Sequence, residues 1–135
     1  MPWKFKRLSG MSGNKYILDT NAIVALLKAD SSLINLTENA EWIGISIISY
    51  IEFLAFPDLG DEDISLFKKF AERIDVVGLH YNDKDFLEMI ISFRKKYKIK
   101  LPDSIIISTA FINNASLITS DKQLSNVKEV NIVSF

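Results

Sequence analysis

The strongest constraint in this sequence is an alternation, repeated from about residue 16 to residue 134, between short apolar runs and longer stretches with helical spacing. Tyr16-Ile17-Leu18, residues 43–46 (IGIS), 74–79 (IDVVGL), 116–119 (SLIT) and 130–134 (VNIVS) have the length and composition of buried strands. Between them, residues 21–28 set Ile23, Leu26 and Leu27 at helical intervals, and a helix is expected from the second strand through Glu52 to about Phe56. Residues 61–72 place Ile64, Phe67 and Ala71 on one side. Residues 83–97 place Phe86, Ile90, Phe93 and Tyr97 at i, i+4, i+7 and i+11. Pro57, Asp58 and Gly60 mark a turn, and Pro102 suits the first turn of a further helix. Strands that alternate with helices and are apolar throughout predict an α/β fold whose parallel sheet is covered on both faces.

The chain has 135 residues, enough for one domain with a real core and too few for two ordinary ones. It has no repeat and no internal linker. No apolar run approaches the ~18 residues of a membrane span. The first ten residues, MPWKFKRLSG, are basic but lack the apolar stretch of a signal peptide. Residues 1–14 are therefore expected to be a flexible arm or tag, and residues 15–135 the domain. There is no cysteine, which excludes disulfides, thiolate metal sites and a cysteine nucleophile, and suits the cytoplasm. The whole chain carries 16 basic and 17 acidic residues, and without its first ten the balance is 13 to 17. Overall charge thus gives no support to nucleic-acid binding, which would have to rest on a local patch or on bound metal.

Four acids hold the positions that matter. In open parallel sheets functional groups gather beyond the carboxyl ends of the strands. Asp19 stands where the first strand should end, and Asp121 follows a later strand in the same way. Asp103 opens a helix, and Glu52 lies in the helix after the second strand. Each has an ordinary alternative. Asp19, Asp103 and Asp121 suit helix caps, and Ser49 with Glu52 spells a capping box. Against this, Glu52 shares a helical face with Ile48, Ile51 and Ala55, and Asp103 shares one with Ile106, Ile107 and Ala110. A carboxylate on a core-facing stripe is expensive unless paired or bound to metal. Clustered carboxylates with all-oxygen ligation favour hard ions, Mg²⁺ or Mn²⁺.

Four motifs then stand in order: LDTN at 18–21, an Ile-Ser strand leading to YIEFLA at 50–55, LPDSIIISTA at 101–110 and ITSDKQL at 118–124. Together they resemble the PIN-domain family, and within it the small VapC-like toxins of toxin–antitoxin pairs, from about Lys15 to Phe135. The resemblance implies a three-layer α/β/α sandwich and Mg²⁺- or Mn²⁺-dependent endoribonuclease activity. It also implies a cognate antitoxin and a homodimer. Matched by motif, the acidic residues are Asp19, Glu52, Asp103 and Asp121, with Asn21 and Thr119 in support. Asp19 and Asp103 would hold the principal metal. One departure concerns a second metal: where many relatives have an acid two positions after the last Asp, this chain has Gln123.

Metal-assisted water attack would leave a 5′-phosphate and a 3′-hydroxyl. Histidine acid–base chemistry generally needs two such groups, and His80, the one histidine, reads as a strand-end residue. Arg94, Lys95, Lys96, Lys98 and Lys100 form a basic run just before LPD. It is either a solvated helix end favoured by the helix dipole or an RNA-binding rail, with Tyr97 free to stack a base. Trp3 and Trp42 read as core or interface, while Tyr50, Phe53, Phe56 and Phe67 are candidates for the dimer surface. Three rivals remain. A haloacid-dehalogenase-like phosphatase would want Asp where Asn21 stands. A response-regulator receiver would want adjacent acids early and a lysine late. A non-catalytic binding module of the same fold would have no need of all four acids.

Overall fold

A computed structural model describes residues 14–135; the expectations for an N-terminal arm and for Trp3 lie outside the described residues, apart from Asn14. The elements run β1 (Lys15–Leu18), α1 (Thr20–Leu27), α2 (Ser31–Thr37), β2 (Trp42–Ser46), α3 (Ile47–Leu54), α4 (Asp61–Glu72), β3 (Asp75–Val77), α5 (Lys84–Tyr97), α6 (Leu101–Ile112), β4 (Ser116–Ile118), a 3₁₀ turn (Lys122–Asn126) and β5 (Ile132–Val133). All strand pairs are parallel, in the order β3-β2-β1-β4-β5. The expected three-layer α/β/α sandwich is what forms.

Side chains of β1 show why both faces must be covered. Tyr16 and Leu18 point into one core with Ile23 and Leu26 of α1, Leu33 of α2, Phe53 of α3 and Phe67 and Phe70 of α4. Ile17, between them, points into the other, with Phe93 of α5 and Ile106, Ile107 and Ala110 of α6. Each fully buried Leu, Ile or Phe contributes roughly 1.5–3 kcal/mol from water exclusion. On the second face the Trp42 ring lies across Gly44. A Cβ on Gly44 would stand 2.5 Å from that ring, so only glycine lets the indole close over the strand.

The chain runs outward from β1 through β2 to β3, then crosses back to place β4 on the other side of β1. The order therefore reverses between β1 and β4, and such a switch point opens a crevice beyond the strands' carboxyl ends.

Several expectations need correction. α2 was not foreseen, though Asp30 caps it by accepting from the Ser32 and Leu33 amides. The third strand keeps only residues 75–77 of the 74–79 expected. On α4, Phe67 and Phe70 are the fully buried pair, and Ile64 and Ala71 are half-buried. Phe53 and Phe67 stack in the core with ring centroids 4.2 Å apart, and Tyr50 packs on Phe67 at 5.3 Å. Of the four aromatics assigned to a dimer surface, only Phe56 is exposed. Trp42 is core-facing as expected, and its Nε1 donates to Asp75.

Candidate active site

The switch point brings the four acids together. Asp19, Glu52, Asp103 and Asp121 line one hollow of about 420 Å³, with Thr20, Asn21, Ile106 and Leu124. Asp19 leaves β1 directly, and its own amide donates to the Ile118 carbonyl at the end of β4 (3.2 Å). It is buried, 7% exposed, and fully engaged. Oδ1 accepts from the Ala22 amide at 2.8 Å, which caps α1, and Oδ2 accepts from the Thr119 hydroxyl. The Thr119 oxygen also accepts from the Asp121 amide at 3.0 Å, so one buried hydroxyl ties both strand-end acids together. Asp121 caps the 3₁₀ turn through the Gln123 amide (2.9 Å). The capping alternatives for Asp19 and Asp121 are thus realised alongside their place in the hollow.

Glu52 and Asp103 are held differently. β2 ends at Ser46, whose hydroxyl caps α3 by accepting from Ile48 (3.1 Å), so Ser49 is not the cap and no Ser49–Glu52 box exists. The stripe that Glu52 shares with Ile51 and Ala55 faces solvent: Ile51 is 55% exposed, and Glu52 itself is exposed. The burial argument for Glu52 therefore fails, although its place in the hollow stands. Thr20 fixes it, donating from Oγ1 to Glu52 Oε1 at 2.8 Å. Sequence reading missed Thr20, and its one signal was its place next to a strand-end acid. Asp103 is a first-turn acid of α6 that caps nothing; it is half-buried beside Ile106 and Ile107, as its helical face predicted.

The electrostatics match this layout. Burial raises the Asp19 carboxyl above its ordinary range and the charges of Asp121 and Glu52 push the same way, while its Thr119 and Ala22 hydrogen bonds oppose. Burial also raises Asp103, again with Asp121 and Glu52 adding, and Lys100 opposes. The hollow holds a surplus of negative charge, which Lys100 opposes at Asp103. Among the described residues no group of three acids or histidines stands close enough to form a ready ion site.

The remaining sequence candidates separate. Asn21 is exposed at the rim. His80 lies in a turn past β3, its Nδ1 accepting from the Asn82 amide, away from the hollow. Lys96 pairs with Glu129 at 2.9 Å. Tyr97 is no free base platform: its hydroxyl donates to Glu129 and accepts from the Lys128 amide, and its ring stacks on Phe93.

A doubly wound sheet with four carboxylates in one hollow at its switch point defines a class of acid-site α/β proteins. Within that class, a family model described as the PIN domain matches residues 16–130, and the chain belongs to that family. Solved structures of like fold include a toxin–antitoxin complex from Klebsiella pneumoniae (TM-score 0.71, 23% identity, covering 87% of this chain and 95% of that one). VapBC2 from Rickettsia felis bound to a promoter DNA fragment is similar too (0.71, 22%, 90% and 98%). So is VapBC-1 from nontypeable Haemophilus influenzae (0.68, 23%, 89% and 97%). No curated protein matches the chain by sequence.

Proposed function

We propose that the chain is an endoribonuclease dependent on Mg²⁺ or Mn²⁺ and the toxin of a toxin–antitoxin pair. The observation that carries this reading is the convergence of Asp19, Glu52, Asp103 and Asp121 on one hollow at the switch point. The donor set fits the ion: it is all oxygen, suited to hard cations, and four acids line the hollow with no basic residue among its described lining. Asp19 and Asp103 would be the principal ligands, with Glu52 and Asp121 ligating directly or through water. When bound, the ion supplies acidification of water and neutralisation of charge on the phosphate.

The chain's own residues do the rest. Thr119 fixes the rotamers of Asp19 and the approach of Asp121, and Thr20 orients Glu52, so the carboxylates are aimed before substrate arrives. Ile106 and Leu124 give the hollow an apolar side beside its acids. Water attack in line with the leaving 3′ oxygen leaves a 5′-phosphate and needs no 2′-hydroxyl. The complexes of toxin with antitoxin among the structural neighbours support a cognate antitoxin for this chain. Action on RNA in the cytoplasm suits a chain in which, among the described residues, no helix is long and apolar enough to cross a membrane.

The test is cleavage of labelled single-stranded RNA by the full chain with Mn²⁺, with EDTA, and by Asp103→Asn. Cleavage with Mn²⁺ alone, leaving 5′-phosphate ends and lost in the variant, is expected. Cleavage that survives EDTA or Asp103→Asn, or none on any RNA with either ion, overturns the reading.

A further inference from the structure

Beside the acid hollow, and outside it, a second groove of about 660 Å³ runs along the C-terminal half of α5 and over the link to α6. Its floor is apolar: Ile91 is 45% exposed and Leu101 is 51% exposed. Its rim is cationic, carrying Arg94, Lys95, Lys98 and Lys100. Acidic side chains do not line it, in a chain whose acids outnumber its bases.

The backbone fixes this shape. Lys98 takes the left-handed conformation (φ 54°) that ends α5 and reverses the chain into α6. Arg94 clasps the turn by donating to the Ile99 carbonyl at 3.0 Å. The groove reaches Lys100 and Leu101, and Asp103 lies two residues further along the same helical turn. Lys100 is close enough for its charge to be felt at Asp103, so groove and hollow are neighbours on α6.

The geometry points to this groove as the subsite that holds the RNA strand flanking the scissile phosphate, with Lys95, Lys98 and Lys100 on phosphates and Ile91 and Leu101 beneath sugars or bases. The inference rests on the ribonuclease reading. It follows from charge complementarity and proximity: a polyanion that reaches the acid hollow meets repulsion there and attraction in the groove beside it. It also divides the basic run of the sequence. Lys96 turns to Glu129 and Tyr97 is anchored there too, so neither belongs to the rail.

The experiment measures binding of a single-stranded phosphorothioate RNA by the full chain across a salt series, with Mn²⁺ present. Lys95→Gln/Lys98→Gln is compared with Lys68→Gln/Lys69→Gln, which removes the same charge from exposed positions on α4. Single strands lose roughly 0.7 in salt slope per phosphate contact, so the groove variant should lose about 1.4 and bind on the order of tenfold more weakly near physiological salt. The α4 variant should match wild type. Equal losses in both variants would reduce the effect to net charge and overturn the subsite. No loss in the groove variant, with wild type still binding and cleaving RNA, overturns the subsite and leaves the ribonuclease reading standing. No RNA binding or cleavage by wild type overturns both. If the groove variant instead keeps RNA affinity and changes sedimentation from dimer to monomer, the groove is a self-association face and the RNA assignment is wrong.

Discussion

The two halves of the acid hollow are built on different principles. Asp19, Thr119 and Asp121 leave adjacent strands at the switch point, and their oxygens already accept from backbone amides and from one another. Glu52 and Asp103 project from α3 and α6, where one carboxylate has a single side-chain donor and the other caps nothing. In the strand half, the proposed chemistry and the architecture would use the same atoms, so a change there would affect both. In the helix half they are separable, which is where function can be altered without loss of fold.

The largest expected effect breaks the halves apart. Asp19→Ala and Asp103→Ala should both reduce Mn²⁺-dependent cleavage by a hundredfold or more, on the order of the loss seen when a charge-stabilising group is removed. Only Asp19→Ala should also lower the melting temperature by several degrees. It removes an N-cap worth about 1 kcal/mol and leaves the buried Thr119 hydroxyl without its acceptor. Equal melting temperatures would erase the distinction.

Metal binding sharpens it. An ion that binds only the native state stabilises by about 2.7 kcal/mol at a hundredfold excess over Kd. Mn²⁺ should raise the melting temperature of wild type clearly more than that of Asp103→Asn. Equal shifts would remove Asp103 from the ligand set.

The two threonines come next. Thr119→Val should lower stability by about 1–2 kcal/mol in denaturant unfolding, because the buried Asp19 oxygen and Asp121 amide lose a partner. Thr20→Val, at a half-buried position, should change stability by no more than about 0.5 kcal/mol. It should weaken Mn²⁺ affinity several-fold, and Thr20→Ser, which keeps the hydroxyl, should restore it. A Thr20→Ser that binds metal no better than Thr20→Val would leave Thr20 without a positioning role.

The smallest effect is on pH. Asp19 and Asp103 have folded-state pKa values raised above 3.8, so the native state binds these protons more tightly than the unfolded one. Their contribution is favourable below that value and is lost as pH rises through the folded-state values. Without metal, the protein should therefore lose some stability from pH 4 towards neutrality through these groups, and Asp103→Asn should flatten that loss in melting temperature. A variant curve parallel to wild type would show that Asp103 carries no such strain.

Much of this was legible in the sequence because parallel strands covered on both faces announce themselves as apolar runs, and strand-end acids can be placed by topology alone. Helix α2 escaped because seven residues, SSLINLT, bury only Leu33 and Thr37, too few to set a period. The Ser49–Glu52 box was misread because two serines three residues apart, Ser46 and Ser49, both suit a cap, and only the end of β2 decides between them. The stripe of Glu52 was identified, but a helical wheel says which residues share a side and not what lies against it. Thr20 and Glu129 exert their effects through partners 32 to 33 residues distant, and hydroxyls and carboxylates carry no periodicity that would reveal such pairs.

The bond between Thr119 and Asp19 joins residues 100 positions apart. Central strand β1 is the first part of the sheet to leave the ribosome, and β4, which must lie beside it, is nearly the last. At ordinary synthesis speeds of about 5–20 residues per second, roughly 5–20 s separate the two. Glu52 and Asp103 emerge during that interval, but the hydroxyl that aims Asp19 and the acid that completes the set, Asp121, come only at its end. Assembly of the hollow thus waits for the slow, long-range closure of a parallel pair. A chain stalled or cut before β4 lacks Thr119 and Asp121, so under the proposed reading the order of strands would keep the unfinished protein inert.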